Sequence, residues 1–412
     1  MSRSEREFDV VLWGATGFTG RLVAEYLLAR HGAGQKLRWA IAGRSEQKLA
    51  AVRAGLGPAA SALPLVVGDG EDEGFLGVLA QRTAVVCTTV GPYARYGSKL
   101  VAACAAHGTD TCDLTGEVQW MRRMIDAHEK EAQASGARIV HTCGFDSIPS
   151  DLGVAFVQRE MQARHGVPCA RVRGRVAGFS GGMSGGTAAS MIALFEEATR
   201  DPKLRRLLAD PYALNPEGRR RGRGTSDQTA PRWDEAFGQW TGPFVMGGVN
   251  TRVVRRTNAL LGESWGADFR YDEAILTGAG PAGWLKAAGV SAGTVAMAAA
   301  GAVGPLRGLL ARLLPEPGEG PSAERREAGY WDLRFLGEHP SDPRLHLRAR
   351  VTGDRDPGYG STAKMLGESA ACLAKDPGSV GGGFWTPAAA LGERLQRRLE
   401  THAGLTFEIE TA

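Results

Sequence analysis

Hydrophobic and polar positions change period along this chain, and the change divides it. Through the first 150 residues, short apolar runs alternate with stretches whose apolar residues return every three or four positions. The runs predict strands at 8–13, 37–42, 63–67, 84–90, 110–114 and 138–143. Between most of them lie helical patterns: 21–30 puts Leu22, Val23, Tyr26 and Leu27 on one face, and 99–107 follows Ser98 as a cap. A strand as uniformly apolar as Val10 to Trp13 suits a parallel sheet covered on both faces. The class expected is α/β, with a doubly wound parallel sheet at the N-terminal end.

Ser150 reads as the N-cap of an amphipathic helix reaching about residue 164, and beyond it the pattern shifts. A strand at 170–178 runs into a second glycine-rich loop, Ser180 to Thr187, ahead of a helix at 188–199. The stretch 210–233 is polar and broken and carries Arg219, Arg220, Arg221 and Arg223, as an exposed insertion would. Strands return over 330–351, then a turn at 356–359 and helices at 361–373 and 386–399, the last stopped by Gly404. The organisation expected is a first domain over 1–150, a second α+β domain with a mixed sheet over 151–355, and C-terminal helices over 356–412.

The chemistry begins where the first strand ends. Gly14-Ala15-Thr16-Gly17-Phe18-Thr19-Gly20 follows a strand and opens a helix. Gly14 allows a tight turn, Gly17 lets backbone approach a pyrophosphate, and Gly20 lets helix and strand pack closely. The helix N-terminus adds free N–H groups and partial positive charge. This is the context of a dinucleotide-binding Rossmann fold, although the glycine spacing is one residue wider at its start than usual. After the second strand, where NAD sites carry an acidic residue for the ribose 2′-hydroxyl, stand Arg44, Ser45 and Lys48. They suit a 2′-phosphate, so NADP is the expected cofactor; Ser45 also suits the N-cap of the helix it precedes. Asp69, after the third strand, faces the adenine end of the cofactor or merely closes a turn. Val90, Gly91, Pro92 and Tyr93 end the fourth strand, where ligands sit in open α/β sheets. Tyr93 there stacks, donates through its hydroxyl, or packs. Asp146 and Ser147 end the sixth strand and either orient nicotinamide and substrate or cap the next helix.

Composition narrows the class only a little. A net charge of +4 over 412 residues is too mild to indicate nucleic acid. Six cysteines without a CxxC pair read as buried thiols of a reducing cytoplasm, and no metal site is expected. The N-terminus has no apolar run, so no secretory signal is expected. Residues 287–306 carry no charge between Lys286 and Arg307. Their length would span a bilayer, but they are rich in Ala and Gly, which favours a buried or loosely attached hairpin. A peripheral membrane contact, with Trp284, Arg307 and Arg312 at its rim, stays open.

The motifs quoted, with Asp113-Leu-Thr-Gly-Glu117, Cys143-Gly-Phe-Asp-Ser-Ile-Pro149, Asn250-Thr-Arg-Val-Val-Arg-Arg256 and Asp356-Pro-Gly-Tyr359, resemble the saccharopine dehydrogenase-like oxidoreductases. More narrowly, the chain is similar to the actinobacterial trans-acting enoyl reductases, which act with polyketide synthases making long-chain waxy lipids. The resemblance implies C-terminal helices returning to the Rossmann domain and NAD(P)H-dependent hydride transfer. It implies a lipid-like or carrier-bound enoyl thioester as substrate and a polyketide synthase as partner; Arg219, Arg220, Arg221 and Arg223 either attract an acidic carrier protein or are a solvated loop. Tyr93, Ser147 and Asp146 are the catalytic candidates by position. Two alternatives stand beside it: amino-acid oxidoreduction of the saccharopine kind, and a non-catalytic, membrane-associated nucleotide-binding protein.

Overall fold

Two seven-stranded sheets organise the computed structural model, which describes residues 5–181, 190, 194, 196–222, 226–303, 320–376 and 378–410. Most of the second glycine-rich loop, Arg223, residues 304–306, Arg307 and Arg312 lie outside the described residues. So does part of the expected helix at 188–199.

The first sheet contains β1 (Phe8–Trp13), β2 (Trp39–Gly43), β3 (Leu65–Val67), β4 (Thr83–Thr88), β5 (Asp110–Asp113), β6 (Arg138–Val140) and β13 (Gly383–Trp385). Their order is β13-β6-β5-β4-β1-β2-β3, and every pair is parallel. Every residue of β1 is buried: Val10 and Leu12 point into one core and Val11 and Trp13 into the other. That is why the strand lacks polar alternation.

The second sheet has the order β14-β12-β11-β7-β10-β9-β8. It comprises β7 (Arg171–Ser180), β8 (Arg232–Asp234), β9 (Gln239–Gly242), β10 (Arg270–Gly278), β11 (Tyr330–Glu338), β12 (Leu347–Gly353) and β14 (Leu405–Ile409). Only β7 and β10 run parallel among its pairs, so the sheet is mixed as expected. Helix Ile148–His165 covers it, with Gly153 so close to β11 that a Cβ there would stand 2.5 Å from the Phe335 ring. Helix Gly247–Leu260 lies against β10. The C-terminal segment serves both layers. Helix Thr362–Lys375 packs on β1, β4 and helix Phe18–His31, with Gly367 against Tyr26; β13 extends the first sheet and β14 the second.

Three local expectations change. Ser147, not Ser150, is the N-cap residue of helix Ile148–His165. Ser147 makes no side-chain cap bond, and Ser150 sits inside the first turn, donating to Glu273 Oε1 at 2.7 Å. The supposed exposed insertion is partly core: residues 212–215 are buried, Arg219 donates to the Ala259 carbonyl, and Arg220 donates to that of Ala213. Residues 287–302 of the uncharged stretch belong to helix Gly280–Ala302, which meets the sheet through Ala287 and Val290 at Gly242 and leaves Trp284, Leu285 and Val295 exposed. No helix among the described residues is long and apolar enough to cross a membrane.

Candidate active site

Strand order places the crevice. β1 and β4 are neighbours whose connections leave in opposite directions along the sheet, the arrangement that opens a ligand site at their carboxyl ends. Gly14 there has φ +93°, and a Cβ on it would strike Val90 Cγ2 at 2.5 Å, so the two loops touch at a glycine. A Cβ on Gly20 would fall 2.2 Å from the Gly14 carbonyl oxygen. Gly17 differs: its Cβ would meet only that same oxygen, at 3.4 Å. Two glycines thus serve the turn and the helix packing, and the third faces open space, as a pyrophosphate cradle needs. Ala15, Thr16, Phe18 and Thr19 complete the turn into helix Phe18–His31, whose N-cap is Gly17. Arg44 and Lys48 are exposed beyond β2, and Ser45 caps helix Glu46–Gly55 by accepting from Lys48 N at 3.3 Å. The cap leaves this helix end, with exposed Arg44 and Lys48, suited to an anion. Asp69 is exposed and accepts from Glu71 N at 3.1 Å, the geometry of a closed turn.

The turn after β4 contains a cis Gly91–Pro92 bond, and Glu117 fastens it. The Glu117 carboxylate accepts from Tyr93 N and Ala94 N, both at 2.8 Å, and from Ser190 Oγ at 3.1 Å. Tyr93 is buried. Its hydroxyl donates to the Thr88 carbonyl at 3.1 Å and accepts from Leu114 N at 3.2 Å, while its ring lies 5.3 Å from Trp120. Burial, with Asp113 next, pushes its pKa up. The hydroxyl is thus committed to bracing β4 against β5. Ser147 is committed too: it is fully buried and donates to Asn250 Oδ1 at 2.9 Å.

Asp146 is the exception among the three catalytic candidates. It is half-buried, and among the described residues no other residue is hydrogen-bonded to its carboxylate. Burial, reinforced by the Asp113 charge and opposed by its own backbone N–H, lifts its pKa from 3.8 to about 7. A Cβ on Gly116 would stand 4.0 Å from Asp146 Oδ1, 3.7 Å from Met246 Cε and 3.8 Å from Val249 Cγ2. The acid thus faces the end of β5 with an apolar wall from helix Gly247–Leu260 beside it. Phe244, 6.5 Å from Phe179, and the exposed Val245 prolong that wall outward.

Sequence reasoning missed one pair beneath this surface. His141 Nδ1 lies 2.5 Å from Asp113 Oδ2, and Asp113 Oδ1 accepts from Thr115 N and Thr142 N. The imidazole is enclosed by Trp120 at 5.0 Å and Phe384 at 5.6 Å. The pair ties the ends of β5 and β6 together. Its signal was two polar residues at or just past the ends of neighbouring apolar strands.

A parallel sheet with this strand order, an open glycine cradle and cationic residues after β2 define an NADP-dependent oxidoreductase. The saccharopine dehydrogenase NADP-binding domain matches residues 10–140. The chain is 41% identical over 424 residues to the trans-acting enoyl reductase of Mycobacterium ulcerans, covering 97% of each. It is 40% identical over 422 residues to that of Mycobacterium tuberculosis, again covering 97% of each. The chain belongs to this trans-acting enoyl reductase family. The apo saccharopine dehydrogenase (L-Glu forming) of Saccharomyces cerevisiae shares the fold, at TM-score 0.51 and 12% identity, over 98% of this chain and 99% of that one.

Proposed function

We propose that this protein reduces the carbon–carbon double bond of a lipid-like enoyl thioester held by a carrier protein, acting in trans on a polyketide synthase. One observation carries the reading: Asp146, a carboxyl with no partner from another residue among the described residues and a pKa of about 7, lies beside the apolar wall of Met246 and Val249. NADPH, held by the 14–20 loop with its 2′-phosphate toward Arg44, Ser45 and Lys48, supplies hydride for the β-carbon. Asp146 in its acid form delivers the proton to the α-carbon. The apolar wall holds the acyl chain and keeps water from the site, and each buried CH₂ contributes about 0.8 kcal/mol.

Saccharopine-type chemistry would require cations converging on carboxylates. The buried arginines of helix Gly247–Leu260 are occupied otherwise: Arg252 bonds Asp227 and the Leu208 carbonyl, Arg255 the Tyr271 carbonyl, and Arg256 the carbonyls of Leu214 and Phe384. The relatives' trans-acting designation supports a carrier as partner. An acidic carrier would find Arg221 exposed, whereas Arg219 and Arg220 are tied to backbone. A peripheral membrane contact would use Trp284, Leu285 and Val295 on helix Gly280–Ala302. The test is NADPH oxidation with enoyl thioesters of increasing chain length, alongside the saccharopine reaction. Turnover rising with length until the wall is covered supports the proposal; a flat response, or turnover of saccharopine, overturns it.

A further inference from the structure

We propose that the turn at 357–362 is a strut joining the cofactor loop to the Asp146 loop, with Thr362 as the positioning residue. The inference rests on Asp146 being the proton donor. It starts from a convergence in space. Phe18, in the glycine loop, meets the Tyr359 ring edge-on at 5.2 Å, and the Arg326 guanidinium lies over the same Phe18 ring at 5.4 Å. At its other end the turn holds the segment that carries Asp146. Thr362 Oγ1 accepts from Phe145 N at 3.0 Å and donates to the Pro357 carbonyl at 2.7 Å. Its methyl lies so near Gly144 that a Cβ there would stand 2.9 Å from it. The Phe145 ring rests 5.4 Å from Trp331, whose indole N–H donates to Ser361 Oγ at 3.0 Å.

The strut is stiff by construction. Asp356 is fully buried, and its carboxylate gathers Tyr359 N at 3.0 Å and Gly360 N at 2.8 Å. Its backbone N–H donates to the Arg326 carbonyl at 3.0 Å. Ser361 and Thr362 are buried as well, so the turn is held at both ends and along its length. Order imposed on Phe18 by a bound dinucleotide therefore reaches residues 144–147 through rings and hydrogen bonds that are already in contact. Charging the cofactor site presents the proton donor.

The experiment uses the full chain, with NADPH as the probe. Hydrogen exchange over 144–147 is measured with and without NADPH, together with NADPH affinity, kcat and KM for an enoyl thioester. In the wild type, NADPH slows exchange at these positions. Thr362→Val keeps the side-chain shape and removes the hydroxyl. It should bind NADPH within about twofold of wild type, lose the slowing, and show kcat about tenfold lower at similar KM, as misplacement of a reacting group does. Thr362→Ser restores the hydroxyl and should recover both. Wild-type slowing or wild-type kcat in Thr362→Val, or a serine variant that behaves like valine, overturns the strut. Where Thr362→Val does not fold, Tyr359→Leu tests the other end: NADPH should still bind without slowing exchange at 144–147, and slowing equal to wild type overturns the inference. Absence of enoyl turnover by the wild type counts against the enoyl reading alone, because the exchange measurements judge the strut without any substrate.

Discussion

Replacing Asp146 with Asn separates its acidity from its shape. Burial and the Asp113 charge both favour the neutral acid, and they lift its pKa from 3.8 to about 7. The protonated form is the working one, so activity is full below about pH 7 and falls roughly tenfold per unit above it. At pH 8 only about a tenth of the molecules carry the proton. Asp146→Asn keeps volume and polarity but has no proton to give; kcat should fall about 10²–10⁴-fold and the alkaline limb should vanish. Stability moves the other way. The native state binds a proton between pH 3.8 and about 7 that the unfolded chain does not, so the acid's contribution falls as pH rises through that window. Above pH 7 the Asn variant should be the more stable, by about 4 kcal/mol at most. The assay follows consumption of reduced nicotinamide from pH 5.5 to 8.5, paired with urea melts of both proteins. A flat wild-type profile, or the same limb in the Asn variant, refutes the reasoning.

Asp151 provides the contrast. Burial also raises its pKa to about 7, but its carboxylate is bonded to Thr257 Oγ1 and to Ala388 N. Asp151→Asn should change stability and leave the alkaline limb in place, which parallel melts and pH profiles check. Arg44→Ala should weaken NADPH binding by about 1.5–3 kcal/mol, the scale of a charge-assisted hydrogen bond, and leave NADH nearly unaffected; titration of both cofactors tests it. Gly17→Val should fold and lose cofactor, since its Cβ enters open space. Gly20→Val should not fold, since its Cβ would strike the Gly14 carbonyl; circular dichroism and cofactor titration distinguish the two.

Elements whose sequence carries its own geometry were legible in advance. β1 and its glycine turn were readable because an apolar run and three glycines fix strand, turn and helix over thirteen residues. Six strands of the first sheet were placed to within a few residues because most are buried along their length and read as apolar runs, whereas the three-residue β13, which pairs with β6 from the far end of the chain, was missed. What depends on partners distant in the chain was not legible. Whether Tyr93 stacks, donates or packs stays open in the sequence until Thr88 and Leu114 are seen to occupy its hydroxyl. Ser150 reads as a cap until Glu273, on β10, is seen to accept its hydrogen bond. Thr362 gave no signal at all, since its bond to Phe145 spans 217 residues. Among the three catalytic candidates, Asp146 stands apart in having no partner from another residue among the described residues, and no local pattern encodes that.

The chain's last strands close both sheets: β13 is the edge of the first, beyond β6, and β14 is the edge of the second, beyond β12. Synthesis runs from the other end. A nascent chain that has already emitted the whole nucleotide-binding half still exposes the flank of β6, and helix Thr362–Lys375 has not yet covered β1 and β4. The two halves therefore cannot mature one after the other, as domains of many larger proteins do. Completion of either waits for residues 383–409, and a chain stopped short of them leaves two open strand edges for other chains to find.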